Sequence, residues 1–332
     1  MSIQKSEYSS VLPFDSIYLP PVPKRPSQSS AGIDIDSLDP IEQIPASSSS
    51  EIKAQRHTKP TPAKPEYLED WNIRLSEVWG VNFHQVTMSR TLDLIDDIVR
   101  VKTPSYAITA NLNYAMLCES SRRLRDFTDR ATLVLCDGMP MLWRSKRNSV
   151  KLHERVTGAD LIFKLAERSQ IKGHRIYLYG AAEGVAEKTA LELQKRFPGC
   201  VIAGYHCPPF RTLNEAEMKE QIDIIRRAKP DILLVALGQP KGEFWIEDNL
   251  SQLGVPLCIQ VGASFDFVAG VAKRAPKVWQ KLGLEWLYRA LSDPKRLIPR
   301  YFRNGLFLLR SIQKDLLKWI DSEGVQHKHA TE

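Results

Sequence analysis

The chain has 332 residues and seven more basic than acidic side chains, a length that accommodates one large core or two ordinary ones. Nine Lys and Arg residues, against only Glu285 and Asp293, lie between Val271 and Arg303. The remainder is near neutral, which argues against a generally basic nucleic-acid binder and for a local anionic partner such as phosphate or an acidic membrane surface. No stretch reaches the roughly 20 apolar residues of a membrane-spanning helix, and the N-terminus has no apolar signal core. The five cysteines, Cys118, Cys136, Cys200, Cys207 and Cys258, form no CxxC pair, as expected in a reduced cytosolic setting. Cys136, Cys200 and Cys258 fall in or beside strand-like runs, where a thiol serves as a small apolar residue. Tyr205-His206-Cys207 has no second ligand pair at zinc spacing and reads as a strand end.

Residues 1–66 are rich in Pro and Ser, with "LPPVPKRPSQSS" and "PASSSS". A segment without an apolar period cannot offset its ordering entropy, so a disordered tail is expected there; Pro20 to Pro23 has the PxxP form that partner domains bind. From residue 67 the pattern alternates. Apolar runs stand at 106–109, 132–137, 175–180, 200–205, 231–238 and 256–262, separated by amphipathic stretches such as "VAEKTALELQKRF" and "EAEMKEQIDIIRRA". Several runs are continuously apolar, as strands covered on both faces are. The alternation predicts an α/β, doubly wound, mainly parallel sheet flanked by helices over 67–276.

After Gly262 the strand pattern stops, and residues 277–325 read as a basic, amphipathic helical appendage. "GLEWLYRAL" is ended or kinked at Asp293-Pro294, and Ile298, Phe302, Leu306, Leu309, Ile312, Leu316 and Ile320 then recur every three or four residues. The default place for such a stripe is against the α/β core. The other is a lipid surface, with Arg300, Arg303, Arg310 and Lys314 reaching headgroups.

In an open parallel sheet, ligands bind beyond the carboxyl ends of the strands, so the residues following each run are candidates. Asp137, before Gly138, is placed either to take a proton from a hydroxyl nucleophile or to cap a helix starting near Pro140. Thr109 and Asn111 suit a phosphate or sugar hydroxyl, while Asn113 suits a cap for a helix starting at Tyr114. Gly180 to Gly184 has the form of a phosphate-cradling turn at a helix start. It lacks the middle glycine of GxGxxG and the Lys-Ser/Thr of a Walker A loop, which disfavours a nicotinamide-dependent dehydrogenase. Thr157 and Asp160 form a capping box, leaving Arg155 for either a leaving diphosphate or a surface ion pair.

Taken in order, Thr109-Ala-Asn111, Asp137-Gly138, Glu154-Arg155-Val156 with Gly158 and Asp160-Leu161, "PDILLVALGQPKGE" and above all "FDFVAGVAKRAPKVWQKLGLEWLYRALSDPKRLIPRY" resemble the WecG/TagA/CpsF family of glycosyltransferases, glycosyltransferase family 26. The resemblance spans roughly Gly80 to Phe307. It implies a Rossmann-like fold and an inverting, metal-independent transfer, with no cofactor, of an N-acetylhexosamine or related hexose or uronate. The donor would be a UDP-sugar and the acceptor a sugar on a polyprenyl diphosphate, in bacterial surface or exopolysaccharide biosynthesis. By the same resemblance Asp137 is the catalytic base, Thr109 and Asn111 belong to the substrate pocket, and Arg155 binds phosphate. Gly180, Gln239, Lys241 and Glu243 complete the expected substrate-binding set. Arg289, Arg296, Arg300 and Arg303 sit in an appendage expected to meet diphosphate or membrane. The implied protein is cytoplasmic and peripheral on the inner face of the plasma membrane, binds no nucleic acid, and leaves a homo-oligomer open.

One departure stands out. The family usually reads Gly-x-Pro-x-Gln-Glu where this chain has Gly238-Gln239-Pro240-Lys241-Gly242-Glu243, and a glycine supplies no side-chain amide. Three readings follow: Gln239 or Lys241 substitutes, the donor sugar differs, or activity is reduced. In the last case the alternative function is that of a nucleotide-sugar-binding protein with reduced or lost catalysis.

Overall fold

The computed structural model describes residues 71–329, with side chains followed to Asp315 apart from Lys281; the tail expected over 1–66 lies outside the described residues. The chain enters through a hairpin, β1 (Leu75–Val78) and β2 (Val81–His84), that the sequence pattern did not disclose. Its two-residue turn, Trp79-Gly80, has positive φ at both positions, which matches the twist of the paired strands. The hairpin then meets the sheet at its edge, where His84 Nδ1 accepts the Val134 backbone N–H at 2.9 Å.

The helices and strands that follow are α1 (Met88–Val101), β3 (Ser105–Ala110), α2 (Leu112–Ser120), α3 (Arg122–Asp129), β4 (Leu133–Cys136), α4 (Met139–Ser145), α5 (Gly158–Lys172), β5 (Arg175–Gly180), α6 (Val185–Arg196), β6 (Val201–His206), α7 (Glu215–Ala228), β7 (Ile232–Ala236), α8 (Lys241–Leu253) and β8 (Leu257–Gln260). Strands β3 to β8 form one six-stranded sheet in the order β4-β3-β8-β7-β5-β6, parallel throughout. All six strands fall on the six apolar runs. Along β7 successive side chains alternate faces: Leu233 and Val235 join a cluster with Tyr114, Phe127 and Trp245, while Ile232 and Leu234 join Ile95, Leu161 and Phe265 on the other side. Burial on both faces is why β4 and β7 read as unbroken apolar runs, whereas β6 at the sheet edge is half-buried along its length; each fully buried apolar side chain contributes about 1.5–3 kcal/mol. Cys136, Cys200 and Cys258 are buried among them, as expected of apolar thiols.

Helix starts follow local chemistry. Thr87, Asn111, Ser121, Thr157 and Asn214 each accept a backbone N–H of the following first turn, satisfying donors that the helix itself leaves free. Asn111, rather than Asn113, is thus the cap of α2.

Helices α9 (Ser264–Val268), α10 (Lys277–Lys281), α11 (Glu285–Ser292) and α12 (Pro294–His329) complete the chain, and residues 71 onward belong to one compact unit. Here the structure overturns the default for the apolar stripe. Leu297, Asn304, Phe307 and Ser311 are the buried positions of α12, whereas Ile298, Phe302, Leu306, Leu309 and Ile312 are exposed, Phe302 and Leu309 at 66%. At 100° per residue the two sets lie on nearly opposite faces. The inward face is held by polar contacts that an apolar periodicity cannot reveal. Arg144 grips Asp315 through Nε–Oδ2 at 2.6 Å and Nη2–Oδ1 at 3.0 Å, and Phe307 meets Trp79 edge-on at 5.9 Å. Leu316 and Ile320 lie beyond the described side chains.

Candidate active site

The chain leaves β3 into α2 on one face of the sheet and leaves β8 into α9 on the other. Where neighbouring parallel strands send their connections to opposite faces, a crevice opens beyond their carboxyl ends. Asp137 stands at its rim, immediately after β4, its backbone N–H donating to Ala110 O at 2.9 Å. The residue that precedes α4 as its cap is Gly138, and no side chain caps that helix. Asp137 therefore does not cap, and its carboxyl is left for other work. Burial first, and then the charge of Glu285, raise its pKa to about 7 against the opposing pull of the Gly158 backbone, Arg155 and Arg289. A carboxyl poised near neutrality is suited to general-base work.

The appendage supplies the groups around it. Glu285 opens α11 and lies 3.8 Å from Arg155 Nη1 and 4.0 Å from Arg274 Nε. Arg274 in turn clamps Asp160 with a bidentate pair at 2.6 and 2.9 Å. Burial alone would raise the Asp160 pKa; the Arg274 and Thr157 hydrogen bonds more than offset it and hold it low. Asp160 is thus the anchor of an ion-pair network as well as part of the helix start, where Thr157 accepts its N–H. Arg289 lies over the Phe267 ring at 5.1 Å. Arg300 is largely buried and its Nε has no partner; burial, joined by the positive charges of Arg289, Arg296 and Arg303, lowers its pKa against the opposing effect of Tyr301. Among the described residues Arg296 pairs with Asp293 at 2.7 Å, and four guanidinium groups that repel one another at Arg300 suit a multiply charged anion.

The remaining expected pocket residues divide. Asn111 is beside Gly138, where an added Cβ would stand 3.7 Å from its side chain, so it shares the crevice with Asp137. Thr109 is buried, and its hydroxyl donates to Gln260 O at 2.9 Å. It joins β3 to β8 through that bond, and the side chain is 2% exposed. Gly180 has φ +115°, and a Cβ there would meet the Ala236 backbone at 2.7 Å; its glycine is required by the neighbouring strand. Gln239 is turned toward α2, its Oε1 accepting from Asn113 Nδ2 at 3.1 Å, and Lys241 is exposed at the start of α8. Glu243 is wholly buried with neither carboxyl oxygen hydrogen-bonded, and burial pushes its pKa to about 8. Glu285, Arg274 and Asp160 were not singled out as site residues by sequence reasoning. Glu285 and Arg274 lie in the quoted C-terminal block, but only the fold brings them to Asp137. Among the described residues no group of three or more His, Cys, Asp or Glu side chains is placed to hold a metal ion, and no helix is long and apolar enough to cross a membrane.

A doubly wound parallel sheet with a near-neutral carboxyl just past a strand end is the arrangement of a group-transfer enzyme. The comparisons with known proteins sharpen that class. Residues 76–320 match the glycosyl transferase WecG/TagA/CpsF family, so the chain belongs to that family and is a glycosyltransferase. Among similar proteins are the N-acetylglucosaminyldiphosphoundecaprenol N-acetyl-beta-D-mannosaminyltransferases of Staphylococcus aureus strains MRSA252 and MW2. Each is 28% identical over 228 residues, covering 68% of this chain and 88% of the relative.

Proposed function

We propose that this chain transfers an N-acetylhexosamine or a closely related sugar from a UDP-sugar to a sugar carried on a polyprenyl diphosphate, working at a membrane surface. The single observation that carries the reading is Asp137, a carboxyl with its pKa raised to about 7 between the crevice and the arginines of the appendage. The S. aureus relatives are named for moving N-acetylmannosamine onto N-acetylglucosaminyl-diphosphoundecaprenol, which makes that donor and acceptor the first pair to test.

In the reaction the Asp137 carboxylate takes the proton of the acceptor hydroxyl as its oxygen bonds to the anomeric carbon from the face opposite the UDP. The anomeric C–O bond to the diphosphate breaks, and the departing charge passes to UDP. Arg155 and the Arg289, Arg296, Arg300 and Arg303 cluster stabilise the phosphates of donor and acceptor, the task of positioned positive charge wherever negative charge develops. No metal is required in this scheme. The outward stripe of α12 gives the membrane surface a physical basis: Ile298, Phe302, Leu306, Leu309 and Ile312 are exposed, flanked by Arg303 and Arg310, the composition of a helix lying in the headgroup region.

The test is incubation of the purified chain with a panel of UDP-sugars and a short-chain lipid-diphosphate N-acetylglucosamine, reading UDP release and product linkage by mass spectrometry and NMR. A lipid-linked disaccharide of inverted anomeric configuration is expected. UDP binding without turnover for every donor would replace this reading with that of a nucleotide-sugar-binding protein.

A further inference from the structure

Gly242 is the second residue of α8, and its φ lies outside the left-handed region, so backbone geometry does not call for glycine there. Space does. A Cβ at 242 would stand 2.8 Å from Gln260 Cγ and 3.2 Å from its Nε2, closer than real side chains approach. The Gln260 side chain therefore crosses from the end of β8 into the volume that a side chain at 242 would take. Its orientation is fixed at both ends. The main-chain oxygen accepts the Thr109 hydroxyl at 2.9 Å, and Oε1 accepts the Gly262 N–H at 2.9 Å. That second bond assigns the amide nitrogen to the other side, where Nε2 is buried without a hydrogen-bond partner on a residue only 1% exposed.

A buried amide donor left unpaired is costly and uncommon in folded proteins. This one sits at the carboxyl end of the sheet beside the start of α8, where Gly238 and Lys241 reach solvent and the helix has no side-chain cap. We infer that Gln260 supplies, from the neighbouring strand, the carboxamide that position 242 lacks: its Nε2–H pairs with an oxygen acceptor of the nucleotide-sugar, and Gly242 exists to admit it. Gln239 is engaged with Asn113, and Lys241 is exposed at the start of α8. The inference rests on the proposed UDP-sugar reading and adds to it a specificity residue from a different strand.

The test is a reciprocal swap in the full chain: Gln260→Gly, Gly242→Gln and the double variant, each checked for folding by thermal melting. Turnover is measured against donor and acceptor separately, and UDP binding by calorimetry. Gln260→Gly should raise the donor KM about tenfold or more, the usual scale for one lost hydrogen bond, with the acceptor KM little changed. Gly242→Gln should lose more, because its side chain overlaps Gln260. The double variant relieves that overlap, which restores stability whatever the side chain binds; the result specific to the inference is a donor KM that rises in folded Gln260→Gly, which has no overlap, and returns to within a few-fold of the natural chain in the double variant. An unchanged donor KM in folded Gln260→Gly, or a double variant no better than Gly242→Gln alone, would overturn the inference while leaving the transferase reading intact. Should the natural chain bind UDP without turning over any donor, the transferase reading falls and the same swap is read in UDP affinity. Absence of both turnover and UDP binding would overturn both.

Discussion

Replacing Asp137 by asparagine separates what its carboxyl does for catalysis from what it costs the fold. With a folded pKa of about 7 against an ordinary 3.8, the folded state holds this proton more tightly than the unfolded chain. Stability from that proton is therefore full below pH 4 and is lost as pH rises through 7. The loss approaches about 4 kcal/mol at pH 8, from roughly 1.4 kcal/mol per pKa unit. Asparagine keeps the shape and an oxygen for the Gly158 backbone but never ionises, so the variant should melt higher than the natural chain by roughly 8–16 °C at pH 8, with the gap nearly closed at pH 4. Turnover should fall by about 10²–10⁴, the usual worth of a general base. Parallel melting curves at pH 4, 6 and 8, with a UDP-release assay at pH 8, measure both. Near-normal turnover would remove Asp137 as the base, and a melting difference independent of pH would refute the burial argument for its raised pKa.

Three further outcomes follow from the same site. Glu285→Gln removes a charge that raises the Asp137 pKa, so the acid limb of the kcat/KM profile should move below pH 7; an unmoved limb would separate the two groups. Arg300→Ala should cut kcat/KM for the lipid acceptor about a hundredfold with little change in melting temperature, because its charge is crowded by Arg289, Arg296 and Arg303; loss of stability instead would make it a packing residue. Phe302→Glu combined with Leu309→Glu should lower sedimentation with anionic vesicles at least tenfold and leave melting unchanged, since both side chains are 66% exposed; a drop in melting temperature would place the stripe against protein.

By itself the sequence determined the six strands of the sheet: a strand buried on both faces must be apolar at every position, as β7 is, and the half-buried edge strand β6 still carries an apolar run. It also placed Asp137 just past a strand end, where ligand chemistry in such sheets collects, and it located the basic appendage through the clustering of charge. The hairpin escaped notice because its strands are four residues long and its turn carries tryptophan in place of the usual Asn or Asp. Which face of α12 packs inward was decided only in three dimensions: Arg144–Asp315 and Phe307 against Trp79 outweigh the apolar periodicity that the sequence displays. The same holds for Glu285 beside Arg155, 130 residues apart in the chain, and for Gln260 beneath Gly242. Spacing along the chain reports what one element does to itself; a carboxylate near another carboxyl, or a side chain filling a glycine's vacancy, depends on distances that only the packing of different elements sets.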